Sequence, residues 1–84
     1  MDNKEKVMIK RLIFFLVRRK LGLKKGESFR FANQVSPYNY YAIYEDGVWK
    51  YEPTGNDAIY CKLSNVNLNY LLSDKCEVVK VKWE

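Results

Sequence analysis

The stretch Tyr40-Tyr41-Ala42-Ile43-Tyr44-Glu45-Asp46-Gly47-Val48-Trp49-Lys50-Tyr51-Glu52 decides the fold. Two runs rich in aromatic and β-branched residues flank Asp46-Gly47, the dipeptide favoured in two-residue type I′ hairpins. A turn at Asp46-Gly47 pairs Glu45 with Val48, Tyr44 with Trp49, Ile43 with Lys50 and Ala42 with Tyr51. Side chains alternate across a strand, so Tyr40, Ala42, Tyr44, Trp49 and Tyr51 share one face of the hairpin. Tyr41, Ile43 and Val48 share the other with Glu45, Lys50 and Glu52. A hairpin in a small protein has one covered face and one wet face. The charges on the second face favour packing of the aromatic one, and these residues alone leave both arrangements open.

Outward from the hairpin, Ser28-Phe29-Arg30-Phe31 alternates like a strand, and a loop is expected from Asn33 to Asn39. After the hairpin, Pro53 to Asp57 is a second loop and Ala58 to Leu63 a further strand. Asn65 to Ser73 has the pattern of a short helix with Leu68, Leu71 and Leu72 on its inner side. Asp74-Lys75 turns the chain into a last strand, Cys76 to Trp83.

The N-terminal segment predicts a long amphipathic helix. Asp2 with Glu5 has the capping-box arrangement, while Arg18, Arg19 and Lys20 sit where the helix dipole favours cations. Gly22 supplies a left-handed stop, with Leu23 folding back on Val17 as in a Schellman motif. At 100° per residue, Met8, Ile9, Leu12, Ile13, Phe15 and Leu16 form one broad face, expected to pack on the core. Lys4, Lys10, Arg11 and Arg18 lie opposite with Val7 and Phe14. Phe14 is the odd residue there: it packs beneath a loop or the C-terminal strand, or it is a contact residue flanked by cations. The fold class is α+β, with the N-terminal helix on an antiparallel sheet of three to five strands and a short second helix before the last strand.

Eighty-four residues, 48% of them apolar, make one domain spanning 1–84. Two cysteines, Cys61 and Cys76, with no histidine cannot furnish the four ligands of a structural zinc site. They are expected as thiols, and whether they pair stays open. Without histidine there is no Ser-His or Cys-His nucleophile pair, and the four glycines are dispersed as turn residues rather than forming a phosphate loop. The chain is therefore expected to be non-enzymatic, with no cofactor and no metal. The apolar run Leu12–Val17 is too short for a signal-peptide core or a membrane span, so a cytoplasmic location is expected.

A net charge of +5 points to polyanionic or acidic partners. Two surfaces could meet them. The basic helix face, Lys10, Arg11 and Arg18 continuing into Lys24 and Lys25, could neutralise phosphates. The aromatic hairpin face, Tyr40, Tyr44, Trp49 and Tyr51, could stack bases or anchor a protein partner.

Leu21-Gly22-Leu23-Lys24-Lys25-Gly26-Glu27-Ser28-Phe29 resembles the opening of small uncharacterised proteins encoded in phages and prophages of Gram-positive bacteria. Tyr41, Ile43, Asp46, Gly47 and Val48 match their hairpin, and Leu68–Leu72 and Val78–Lys82 their closing elements, so the resemblance covers roughly residues 21–84. It implies no activity and no functional residues. It does imply an accessory protein inside a bacterial host cell, and it favours Tyr41, Ile43 and Val48 as the inward face. The expected function is a non-catalytic module engaging nucleic acid through the basic helix face. The alternative is an inhibitor or modulator of an acidic host protein, including an anti-defence role, acting through the aromatic hairpin. A homodimer burying that aromatic face is a third possibility.

Overall fold

A computed structural model describes residues 3–35, 39–54 and 57–81. Helix α1 (Asn3–Leu21) precedes strands β1 (Phe29–Phe31), β2 (Tyr40–Tyr44), β3 (Gly47–Thr54) and β4 (Asp57–Lys62); helix α2 (Leu68–Leu71) and strand β5 (Val78–Lys80) follow. The strands form one antiparallel sheet in the order β4-β3-β2-β1-β5. This is the α+β architecture expected from the sequence. The connection carrying α2 takes the chain from the β4 edge to β5 at the opposite edge.

Phe29, Ile43 and Val48 are fully buried, and they cluster with Phe14 and Val17 of α1, Leu23, Leu71 of α2, and Cys76. Both helices therefore contribute to the core on the Ile43–Val48 side of the sheet. Tyr41 and Phe31 pack against the same cluster, their rings meeting edge-on at 5.0 Å.

Helix α1 ends as the sequence predicts. Gly22 has φ 71°, Gly22 N–H donates to the Arg19 carbonyl at 3.3 Å, and Leu23 N–H donates to the Arg18 carbonyl at 2.8 Å. That pair of bonds is the Schellman pattern. Asp2, the proposed N-terminal cap, lies outside the described residues.

The face that α1 packs differs from expectation. Phe14 and Val17 are buried and Leu21 lies against the core, a ridge spaced i, i+3, i+7, whereas Met8, Ile9, Leu12, Phe15 and Leu16 are exposed. The Schellman closure accounts for the rotation. It drives Leu23 into the core on the Val17 side, and that anchor turns the Leu12 stripe away from the sheet. Phe14 is thus a core residue rather than a contact residue flanked by cations, and it lines a groove with Leu63 and Val66 of the loop after β4.

The hairpin register also differs. Observed pairs are Tyr44 with Gly47, Ile43 with Val48, Ala42 with Trp49, Tyr41 with Lys50 and Tyr40 with Tyr51, so the turn residues are Glu45 and Asp46. A type I′ turn would need positive φ at both, and among the described residues no non-glycine has it. This register gives both turn carboxylates partners: Glu45 meets Arg11 and Lys25, and Asp46 meets Trp49 and Lys62. Moving the turn by one residue shifts each partner by two, so the two faces keep their membership.

Three further boundaries move. β3 runs on through Pro53-Thr54 and β4 starts at Asp57, lengthening a hairpin where a loop was expected. Among the described residues the pairing with β2 ends at Tyr51, whereas pairing with β4 runs on through Pro53 and Thr54. α2 is a short helix capped by Asn67, whose side chain accepts from Tyr70 N–H. It buries Leu71 but leaves Leu72 exposed, because so few turns offer only a narrow inner side. β5 covers Val78–Lys80, and Trp83 lies outside the described residues.

Candidate functional site

The side of the sheet opposite the helices carries a second aromatic group, separate from Phe29, Phe31 and Tyr41 of the core. Tyr40, Tyr51 and Tyr60 stand directly across from one another on β2, β3 and β4. Their rings meet edge-to-face, with centroids 6.2 Å apart for Tyr40–Tyr51 and 5.2 Å for Tyr51–Tyr60. Nearer the hairpin tip, Tyr44 and Trp49 make a similar contact at 6.2 Å. Ala42 also points to this side yet is fully buried; Tyr40 and Tyr44 flank it along β2 and Trp49 lies opposite, so larger rings roof it. Tyr60 is exposed and the other four rings are half-buried. Arg30, one residue from the inward Phe29, and Lys62, opposite Trp49, lie on the same side.

Tyr44 is held by backbone. Gly26 has φ 76°, and a Cβ built there would come within 3.1 Å of Tyr44 Cε1, so only glycine lets the ring sit this close. Gly26 N–H also donates to the Ile43 carbonyl at 2.9 Å, tying the loop after α1 to β2.

Several cations converge on the hairpin tip. Glu45 pairs with Arg11 and Lys25, each at 3.5 Å. Asp46 pairs with Lys62 at 3.3 Å and accepts from the Trp49 indole N–H at 3.3 Å. Burial works against ionisation of Asp46, but the hydrogen bonds from Trp49 and Lys62 and the Lys62 charge outweigh it and hold the carboxyl below its ordinary 3.8. Between tip and helix lies a groove of about 340 Å³ lined by Lys10, Arg11, Lys25, Tyr44 and Glu45 among others. Behind the tip, Asn3–Ile13 stands off the sheet over a larger apolar groove of about 830 Å³, lined by Ile9, Ile13, Phe14, Leu63, Val66 and Leu68.

The residues singled out in the sequence thus separate into groups. Tyr40, Tyr44, Trp49 and Tyr51 share one surface, and Lys10, Arg11 and Lys25 gather beside Tyr44. Lys24 is exposed near the helix end, its own N–H bonded to Glu27. Arg18 is half-buried, its Nη1 enclosed and, among the described residues, without a hydrogen-bond partner, and it lines a shallow pocket with Lys24 and Lys25. Tyr60, Lys62, Arg30 and the Glu45 clamp escaped the sequence reading. The alternation Tyr60-Cys61-Lys62 after Ala58-Ile59 carried the signal for the first two, once β4 is known to pair with β3.

Both cysteines are thiols, Cys61 exposed and Cys76 buried. Burial raises the Cys76 pKa, with Lys20 opposing weakly, so this thiol stays protonated at neutral pH. Among the described residues no three His, Cys, Asp or Glu side chains are grouped to hold a metal ion, and no helix is long and apolar enough to cross a membrane. No family model, curated protein or solved structure matches this chain.

Proposed function

We propose that this chain is a non-catalytic binding module that holds single-stranded nucleic acid against the outer aromatic face of its sheet. The observation that carries this reading is the five-ring surface of Tyr40, Tyr44, Trp49, Tyr51 and Tyr60 on the side away from the helices, with cations gathered at its tip end. Bases stack on such rings with little regard to sequence, at about 1–3 kcal/mol per base. Arg30, Lys62, Lys25, Arg11 and Lys10 would take phosphates along the strand. The exposed pairs these cations make with Glu45 and Asp46 do not prevent this, because such pairs are worth about 0–1 kcal/mol and a phosphate can displace the carboxylate.

The role differs from a purely basic helix face in one respect: stacking on a flat sheet selects unpaired bases, whereas phosphate contact alone does not. Fluorescence-anisotropy titration with labelled single strands and duplexes at several salt concentrations tests it. The reading predicts preference for single strands, an affinity whose logarithm falls linearly with log salt, and a loss of roughly tenfold or more on Trp49→Ala with Tyr51→Ala. No binding at low salt, or equal binding by the double variant, overturns it.

A further inference from the structure

The apolar stripe of α1 faces away from the core. Met8 is 68% exposed, Leu12 57% and Phe15 47%, with Ile9 and Leu16 exposed beside them. At 100° per residue these five fall within an arc of about 120°, centred almost opposite the buried Phe14–Val17–Leu21 ridge. Scattered exposed apolar residues are ordinary, but a contiguous stripe of this kind marks a contact surface. Lys4 and Arg11 run along one edge of the stripe and Lys20 along the other, where its Nζ donates to the Ser73 carbonyl at 2.6 Å. Arg19 continues the stripe at its C-terminal end, and Lys6 lines the groove toward the sheet. The helix holds seven basic residues against the single acid Glu5.

Those flanks select the occupant. A second copy of the helix would set two strongly cationic flanks against each other. Nucleic acid would meet the cations but leave the stripe in water. A protein groove would need an apolar floor between two acidic rims. An anionic lipid surface suits both features: acyl chains accept the apolar residues, while the exposed cations beside the stripe, Lys4 and Arg19 foremost, extend to the headgroup phosphates.

We propose that α1 lies in the plane of an anionic membrane surface, with Met8, Leu12, Phe15 and Leu16 inserted to the acyl boundary and Ile9, which also lines the groove behind the tip, at the margin. The helix is already formed and its core ridge points the other way, so docking leaves Phe14 and Val17 on the sheet. The aromatic face, on the far side of the molecule, stays open. This inference shares only Arg11 with the nucleic-acid reading; its apolar stripe is a separate surface, and the two readings stand or fall separately.

Flotation of the full chain with vesicles tests it, comparing phosphatidylcholine alone with phosphatidylcholine mixed with phosphatidylglycerol. Expected are flotation with the anionic vesicles only, and a loss of roughly tenfold or more on Leu12→Ser with Phe15→Ser, since two inserted side chains are removed. Both positions are exposed, so circular dichroism should find the variant folded, and its binding to single-stranded DNA should match the wild type. No flotation with anionic vesicles overturns the proposal, and so does equal flotation of the double variant. If light scattering finds a dimer that the double variant abolishes, without flotation, the stripe belongs to a second copy and the proposal fails.

Discussion

At the scale of single residues, two charges, one beside the core and one at the exposed hairpin tip, have opposite fortunes. Arg18 Nη1 is enclosed without a hydrogen-bond partner among the described residues, and a buried donor left unmade costs free energy that an apolar side chain of similar reach avoids. Arg18→Met should therefore stabilise the fold by about 1 kcal/mol, raising Tm by about 4–8 °C in a domain of this size. A lower Tm would mean that this guanidinium has partners in solution. Asp46, by contrast, is fully engaged, and its carboxyl is held below 3.8. A depressed folded pKa gives stability that is complete above the unfolded value and lost as pH falls through the folded one. Asp46→Asn should therefore flatten stability against pH on the acid side of 3.8 and leave its slope near neutrality unchanged, as urea unfolding across pH will register.

At the scale of elements, α1 is defined by its exit. With no atom within 4 Å of a Cβ at Gly22, substitution there is a conformational matter alone. Gly22→Ala should cost about 1–2 kcal/mol for left-handed backbone, and Gly22→Asn less, measured by thermal melts. Equal stability of glycine and alanine would show that the closure is not anchoring the helix. This helix end was legible in the sequence because a Schellman closure is local, needing only Gly22 and an apolar Leu23. The helix's rotation was not. Phe14 and Val17 make up a thinner pattern than the Met8–Leu16 stripe, and periodicity assigns the broader face to the core unless something outside demands it. The hairpin's faces were legible although its register was not, since a two-residue shift preserves alternation. What tertiary pairing alone adds is Tyr60: its ring joins the platform only because β4 lies beside β3.

At the scale of the whole molecule, the two outward faces explain the shape. The radius of gyration is 13.4 Å, above the roughly 12 Å expected of a compact chain of this length. The excess reflects a small core, an N-terminal half-helix standing off the sheet and a long β3–β4 pair. A chain with five rings on one side of its sheet and an apolar stripe on the far side of its helix keeps little apolar surface for its core. The central claim is that the aromatic side receives single-stranded nucleic acid, and NMR titration of the labelled protein with a short single-stranded oligonucleotide tests it most directly. The largest shifts are predicted at Tyr40, Tyr44, Trp49, Tyr51 and Tyr60, with the Met8–Leu16 stripe unmoved. Shifts confined to Lys4, Arg19 and Lys20 with the rings silent, or no shifts at all, would contradict it.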